Sequence, residues 1–488
     1  MKRFLILICS LVMFAAAVSC SQPTNESFDL DFVSMLDTSG TDLEGMKVKY
    51  LFDTTINWAT AAAPDTYLGY SFDTTLADAA MKRVSDIENE MNFKLDIENR
   101  TGVFGYVKAP IMSGVYVADI ASSISDMWGD YCQLGLFVGM SKVSDYIDVN
   151  DTEKWGQLAF NESMFYKDDL YGVVPALWPE LTHINFGYPI VFNGNILASR
   201  GLTDPREYVE NKQWTWDKFE ETVAAAHVEE GGTVKHYGFI GAERMIAEMY
   251  IFSNGSNIIS KQDDGSYAFG LYDYRGQAAM EACNRFINDT CKNYIAKHGL
   301  GYNHDKIAQC FASEEAVMAA VYTGYIYGRD AIVSQEVYDF GILSWPHGPD
   351  VEPGFTFGVV ENIYTAMVIP VTAKSPETSA MIMNSLYEPL EGFETKESIQ
   401  EYMTYNYFFD KRDAEVFFKM HDNCVYNWFH WFDGSGIVDF IGRKNVSEHI
   451  QSKETSLIDI FDDEVRPILD GILAVYGDYS YSMIPSEK

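Results

Sequence analysis

The sequence lacks the short motifs that identify most nucleotide-binding and hydrolytic enzymes. It contains no GxxxxGK[ST], no GxGxxG after a strand, no GxSxG and no HExxH. The nine histidines are scattered, and the neighbouring His421 and Cys424 are too few to make a zinc site. We therefore predict no metal, no cofactor and no catalytic residues. Abundant Asp and Glu leave open a carboxylate pair at the separation that glycosidases use.

Positive charge is also scarce. The chain has 35 Lys and Arg against 71 Asp and Glu, a formal net charge of -36. Such acidity argues against nucleic acid and against an anionic lipid surface as partners.

Cysteine is sparse and shows no pairing pattern. Of seven cysteines, two lie in the first 20 residues, and the other five form no CxxC: Cys132, Cys283, Cys291, Cys310 and Cys424. If Cys283 and Cys291 share a helix they lie about 12 Å apart, too far to bridge. We predict mostly buried thiols and leave one disulfide open.

Only one long apolar run occurs, and it stands at the start of the chain. Residues 4–18 are apolar and follow Met1-Lys2-Arg3, so they have the length of a secretory signal and are too short for a membrane span. The sequence Ala17-Val18-Ser19-Cys20 resembles a bacterial lipobox. This resemblance implies a signal peptide over residues 1–19 and lipidation of Cys20. An ordinary signal peptide with an incidental cysteine is the alternative.

The segment after Cys20 is predicted to be a flexible tether. Residues 20–42 are rich in Ser, Thr, Asn, Asp and Gly. The tether also carries apolar side chains that could dock on the folded part: Phe28, Phe32, Val33 and Leu36.

The rest of the chain reads as an α/β protein of two lobes. A mature chain of 488 residues less the first 19 is too long for one simple core. Residues 46–52 alternate like a strand, Thr75 is placed to cap a helix, and residues 93–97 form the next strand. Strand, helix, strand implies a parallel sheet, and ligands of such sheets bind at the carboxyl ends of the strands. Trp58 lies on the loop after the first strand.

The most informative stretch is residues 171–226. It contains the element YGVVPALWPEL, a strand ending in Asn before a small helix (PIVFNGNILASRGLTDP) and the helix start WTWDKFEETVAAA, for which Thr215 is the predicted N-cap. This order resembles the extracellular solute-binding proteins of ABC importers, in particular their sugar-binding family 1. Similar passages occur at residues 113–120, 311–328 and 340–349, and the resemblance covers roughly residues 41–390.

The resemblance implies a periplasmic-binding-protein-like type II fold, with two α/β lobes joined by a hinge around a ligand cleft. We expect the N-terminal lobe to comprise residues 43–188 and 362–400. The C-terminal lobe would comprise residues 189–361 and 401–488, with closing helices. The remainder of the chain after residue 390 is expected to be helical.

The resemblance also implies a function without catalysis. The protein would capture a carbohydrate, with an oligosaccharide as the favoured class, and deliver it to the permease subunits of an ABC transporter. We expect a monomer held by its lipid on the extracellular face of a bacterial membrane. The alternatives are a binding protein for a peptide or polyamine, and a secreted glycoside hydrolase or adhesin.

Cleft residues are expected to be aromatic side chains that stack on sugar rings and polar ones that bind hydroxyls. The predicted ligand-binding residues are Trp58, Asp119, Trp128, Trp178, Tyr325, Tyr327 and Trp345. Weaker candidates are Glu361, Asn362, Trp428 and Trp431. For each Trp the opposing interpretation is a place in the core, and for Asp119 it is helix capping.

Overall fold

The structure is a computed structural model that describes residues 40–54, 66–123, 128–156, 164–166, 169–180, 186–261, 267–270, 273–296, 303–328, 331–360, 366–427, 467 and 481–482. The predictions for the leader, for Cys20 and the start of the tether, and for Trp58, Glu361, Asn362, Trp428 and Trp431 lie outside these residues.

The strands and helices alternate over most of the described chain. The strands are β1 Met46–Asp53, β2 Thr66–Tyr67, β3 Tyr70–Ser71, β4 Phe93–Arg100, β5 Ile120–Ser123, β6 Phe165–Tyr166, β7 Asp169–Leu170, β8 Ile190–Asn193, β9 Val228–Glu230, β10 Thr233–Ile240, β11 Ile259–Lys261, β12 Tyr267–Phe269, β13 Ala316–Ala320, β14 Phe340–Leu343, β15 Gly358–Val360, β16 Ala366–Val368, β17 Cys424–Tyr426 and β18 Tyr481–Ser482. The helices are α1 Thr75–Glu90, α2 Val103–Met112, α3 Trp128–Gln133, α4 Thr152–Trp155, α5 Gly194–Ser199, α6 Arg206–Glu210, α7 Trp216–Ala226, α8 Glu243–Ser253, α9 Tyr274–Arg285, α10 His304–Ala312, α11 Ile332–Glu336, α12 Pro376–Leu386, α13 Lys396–Tyr407 and α14 Lys411–Asp422.

The first lobe is built on a four-stranded sheet in the order β16-β5-β1-β4. β1 runs parallel to β4 and β5, and β16 runs antiparallel to β5. The second half of β1 is buried on both faces, as expected for an inner strand of a parallel sheet. Helix α1 has Thr74 as its N-cap, whose hydroxyl accepts from the Ala77 N–H at 3.2 Å, so the predicted cap at Thr75 is wrong by one residue.

The second lobe is built on a five-stranded sheet in the order β14-β8-β13-β10-β9. β10 and β13 are parallel, while β8 runs antiparallel to both of its neighbours. The Thr215 hydroxyl accepts from the Lys218 N–H at 3.3 Å, which confirms the predicted N-cap of α7. Helix α9 ends at Arg285, and the chain continues as one π-helical turn, Phe286–Thr290.

Chain segments between the two sheets run side by side. Val173 pairs with Met367, and Gly187 pairs with Val359. β15 and β17 form a parallel pair, and the Asn427 N–H donates to the Val360 carbonyl at 2.8 Å. These pairings join the segments on which any hinge movement between the sheets would depend.

The C-terminal helices divide between the sheets. Helix α12 packs on α1 beside the first sheet, and α14 packs on β14 of the second. Asp413 of α14 accepts from Arg206 at 2.8 and 2.9 Å and from the Ile342 N–H at 2.8 Å. No helix within the described ranges is long and apolar enough to cross a membrane.

Candidate ligand-binding cleft

The carboxyl ends of the parallel strands define the edge at which each sheet can present a ligand site. In the second sheet this edge lies after Ala320 of β13 and Leu343 of β14. Because β8 is antiparallel, its amino end lies at the same edge: Ile190 pairs with both Ala320 and Leu343. Tyr188, just before β8, and Tyr322, just after β13, are thereby brought together.

Three rings form a compact group at this edge, here called the aromatic rim: Tyr188, His304 and Tyr322. The Tyr188 and Tyr322 ring centroids lie 4.5 Å apart, and the His304 ring lies 4.6 Å from Tyr322 and 5.8 Å from Tyr188. His304 reaches the edge because α10 packs along β13 and a tight turn joins the two, so the helix starts beside the strand's carboxyl end. Tyr188 is buried, whereas Tyr322 and His304 are half-buried.

A carboxylate lies beside the aromatic rim. Asp305 follows His304 directly, and its carboxylate accepts a hydrogen bond of 2.5 Å from the Tyr325 hydroxyl. The Tyr325 side chain is mostly buried, but Asp305 is half-buried. The edge thus combines apolar ring faces with polar atoms of fixed orientation, which is the combination that sugar recognition needs.

Tyr327, the second predicted tyrosine, is a core residue. Its ring packs edge-on against Tyr407 and Phe417, with centroids 6.4 and 5.6 Å away. Burial raises the pKa of its phenol well above the ordinary value. This packing contradicts the expectation that Tyr327 stacks on a ligand.

Trp178 is fully buried within the first lobe. Its ring lies 4.8 Å from Tyr387 and 6.0 Å from Tyr70, and its indole N–H donates to the Glu388 carbonyl at 3.1 Å. Both faces and the polar atom are therefore occupied by the protein. The structure assigns Trp178 to packing, not to ligand contact.

Trp345 is fully buried in the second lobe. It follows β14 at the expected edge but turns into the core between Phe219, Phe239 and Tyr250, with centroids 5.7 to 6.2 Å away. This packing conflicts with the expectation that Trp345 contacts a ligand.

Asp119 lies at the amino end of β5, away from the edge where ligands bind. Its carboxylate accepts from the Lys49 N–H at 2.9 Å, the Tyr116 hydroxyl at 2.7 Å and the Lys374 N–H at 3.2 Å. These bonds fasten three segments of the first lobe. The expectation of a hydroxyl-binding Asp119 conflicts with this placement.

Three predicted residues remain predictions, and one of them, Tyr325, lies beside the aromatic rim through its bond to Asp305. Trp58 lies outside the described residues, and Trp128 is the first residue of α3, where the backbone alone is described. The sequence interpretation missed Tyr188, His304 and Tyr322. Tyr322 carried a usable signal, because it follows a fully buried run of strand type, AVMAAV.

The described residues hold no group of three or more His, Cys, Asp or Glu side chains that could bind a metal ion. The five cysteines are free and buried, so the buried-thiol prediction is confirmed and the structure contains no disulfide among them.

Comparison with known proteins identifies solved structures with a similar fold. No protein family and no curated protein sequence matches the chain. Solved structures do match over nearly the whole length. An ABC substrate-binding protein of Listeria monocytogenes in complex with cycloalternan has a TM-score of 0.57 at 12% identity, covering 90% of this chain and 100% of its own. A cyclo/maltodextrin-binding protein complexed with maltotetraose has a TM-score of 0.60 at 12% identity, covering 90% and 99%.

A third match binds another kind of solute. UgpB of Mycobacterium tuberculosis in complex with glycerophosphocholine has a TM-score of 0.55 at 15% identity and covers 85% of this chain and 99% of its own. The chain has the periplasmic-binding-protein-like type II fold. The predicted fold class of two α/β lobes is thereby confirmed, while identities this low leave the ligand to be argued from the site.

Proposed function

We propose that this protein captures an oligosaccharide outside the cell and delivers it to an ABC importer without chemically changing it. The observation that carries the proposal is the aromatic rim at the carboxyl edge of the second sheet, with Asp305 beside it. Tyr322 offers a partly exposed ring face, and Tyr188 and His304 fix its orientation. A sugar ring has C–H faces that suit such a surface and hydroxyls that suit a carboxylate.

The fold supports capture rather than catalysis. The two compared sugar-binding structures are described as binding proteins, and each covers 90% of this chain. Two lobes joined by adjacent crossing segments can close on a solute, which would bury it and create the surface that the permease subunits bind.

We propose that the protein acts on the extracellular face of a bacterial membrane. The signal peptide of residues 1–19 and the lipid on Cys20 belong to the same mechanism, because an importer's binding protein must stay near its permease. We propose a monomer with two partners, the solute and the permease.

The test is thermal unfolding of the protein from Ser21 onwards against oligosaccharides, simple sugars, peptides, polyamines and glycerophosphodiesters. A ligand at 100 times its Kd adds about 2.7 kcal/mol to the free energy of unfolding. We expect a clear rise in Tm with one class of oligosaccharide and no product from it. A Tyr322→Ala variant should lose that rise.

Other outcomes would replace the proposal. A rise with a peptide, polyamine or phosphodiester alone would keep the fold and change the solute, which the UgpB match makes a specific alternative. Release of reducing sugar from a glycan would establish a hydrolase instead.

A further inference from the structure

The two oxygens of the Asp305 carboxylate have different surroundings at the cleft edge. Oδ1 accepts a hydrogen bond from the Tyr325 hydroxyl at 2.5 Å. Across the described residues, no backbone or side-chain group donates to Oδ2, and no Lys or Arg forms an ion pair with this carboxylate. Asp305 is half-buried, so it keeps some exposed surface. The second oxygen is therefore an acceptor that a solute in the cleft can use.

Tyr325 fixes the direction of this carboxylate. Its side chain is mostly buried, and its N–H donates to the Tyr322 carbonyl at 3.0 Å within the turn that follows β13. The Thr323 hydroxyl in the same turn accepts from the Phe186 N–H at 3.2 Å. One short turn thus holds both the Tyr322 ring and the hydroxyl that binds Asp305. Ring and carboxylate are oriented before a solute arrives, which lowers the ordering cost of binding.

Helix α10 holds Asp305 from the other side without neutralising its charge. The Asn303 side chain caps this helix by accepting from the Lys306 N–H at 2.9 Å, and Asp305 lies in the first turn. The Lys306 side chain interacts with Cys310, one turn further along, and not with the carboxylate. The whole chain is also acidic, with a formal net charge of -36. The field at this edge of the cleft is therefore negative.

A fixed carboxylate distinguishes solutes by their charge. A sugar hydroxyl that donates to it forms a charge-assisted hydrogen bond, which is stronger than a bond between neutral groups. A carboxylate, sulfate or phosphate on the solute meets a like charge instead, and salt screens this repulsion less where the groups are partly buried. One side chain thus supplies both the attraction and the repulsion that a specific site needs.

Building on the proposed function, we propose that Asp305 makes the cleft select uncharged oligosaccharides against acidic ones. Its Oδ2 accepts from a sugar hydroxyl while the Tyr322 ring packs on the face of a sugar. Tyr325 is a positioning residue, because its hydroxyl is already bonded to Asp305 and acts on the solute through that carboxylate.

Isothermal titration calorimetry of the protein from Ser21 onwards tests this selection. The probes are the uncharged oligosaccharides of the thermal screen, among them maltotetraose, cellotetraose and mannotetraose. Each is compared with the same sugar after oxidation of its primary hydroxyls to carboxylates, which keeps the rings and linkages. We expect the oxidised form to bind at least about tenfold more weakly, because like charges meet at the cleft edge. The measurements are made at about pH 8, where an ordinary imidazole is uncharged and His304 adds no positive charge.

Asp305→Asn separates the charge of this side chain from its shape. The Kd of the uncharged sugar should rise about five- to tenfold, because a charge-assisted bond becomes a neutral one. The repulsion of the oxidised sugar should disappear, so the ratio of the two Kd values should fall. An unchanged Tm of the unliganded variant will show that the lobe still folds.

Tyr325→Phe tests the positioning role with a smaller change. It removes only the hydroxyl and should raise the Kd of the uncharged sugar about two- to tenfold, because the carboxylate must then be ordered by the solute. In an Asp305→Ala background the same substitution should have no further effect, since the residue acts through Asp305. A Tyr325→Phe effect that persists in that background would overturn the positioning role.

Tyr116→Phe is the matched control. The Tyr116 hydroxyl also donates to a carboxylate, that of Asp119 at 2.7 Å, but in the first lobe and away from the cleft edge. Its loss should leave every Kd unchanged. Equal Kd values for an uncharged sugar and its oxidised form, or a preference for an acidic oligosaccharide, would overturn the selection by charge and leave the proposed function standing. No rise in Tm with any saccharide would instead overturn the proposed function, and this selection with it.

Discussion

At the scale of single residues, the structure separates the aromatic side chains that can meet a ligand from those that cannot. Trp178 and Trp345 have no exposed surface, and Tyr327 is almost fully buried. Tyr322 keeps part of its ring exposed while two neighbouring rings hold it in place. Ligand affinity should therefore depend on Tyr322 more than on any of these three predicted residues.

Replacing Tyr322 with Ala should weaken binding of the oligosaccharide found in the thermal screen. Loss of a buried aromatic contact costs about 2 kcal/mol or more at the centre of a site, which is roughly a 30-fold rise in Kd. Isothermal titration calorimetry measures the change. Tyr338→Ala is the control, with an unchanged Kd. An equal Kd in the Tyr322 variant would remove the aromatic rim from the site.

The cysteines give a second prediction at this scale. All five described thiols are buried, and burial raises the pKa of Cys291 to about 12 and that of Cys310 to about 11. The native protein from Ser21 onwards should therefore react with a chromogenic disulfide reagent very slowly at about pH 8, where ordinary thiols react readily. Unfolding it without reductant should release five thiols. A count of three would reveal a disulfide.

At the scale of elements, α14 is tied to the second sheet by a buried ion pair. Burial lowers the pKa of the Arg206 guanidinium, but its hydrogen bonds with Asp413 and the nearby carboxylate charges outweigh this, and the pKa is raised. Asp413 has no exposed surface and also accepts from the Ile342 N–H. The pair thus joins α6, α14 and β14.

Asp413→Ala should destabilise the protein by about 3–5 kcal/mol, because it leaves the Arg206 charge buried without its partner. Urea unfolding followed by tryptophan fluorescence measures the loss. Lys411→Ala, on the exposed side of the same helix, removes only a surface pair with Glu415 and should change stability by less than about 1 kcal/mol. Equal effects of the two substitutions would show that the buried pair does not hold α14.

At the scale of the whole molecule, the two sheets are connected by chain segments that run side by side. Val173 pairs with Met367 and Gly187 with Val359. Near these segments, Glu180 accepts hydrogen bonds from Tyr402 at 3.1 Å and Tyr407 at 2.6 Å. These bonds hold α13 against the chain segment between Val173 and Gly187. Such connections can serve as a hinge only if the lobes move as rigid bodies around them.

Solution scattering should therefore record a smaller radius of gyration when the cognate solute is bound, since closure brings the lobes together. Glu180→Ala should leave the radius of gyration of the free protein within error or increase it. The reason is that α13 loses its hydrogen bonds to the segment between Val173 and Gly187. A sugar that does not raise the Tm serves as the control and should leave the radius unchanged. An unchanged radius with a bound solute would mean that the protein binds without closing.

The sequence by itself determined the local elements and the fold class. The N-cap at Thr215 and the proline start of α12 after Ser375 follow from side chains that bond to their own helix, so neighbours in sequence suffice to predict them. The order of strands and helices indicated an α/β protein, the chain length indicated two lobes, and the family resemblance indicated their fold. The error at this level was small: the N-cap of α1 is Thr74, one residue before the predicted Thr75.

Only the tertiary structure decided which side chains face the cleft edge. Trp345 stands where a strand ends, yet packing against Phe219 and Tyr250 draws it into the core. Tyr188 reaches the edge because β8 is antiparallel, a property of sheet order that no local pattern records. The direction of an aromatic ring is set by contacts between residues distant in sequence, and burial of a large apolar area favours the core unless other rings already fill it.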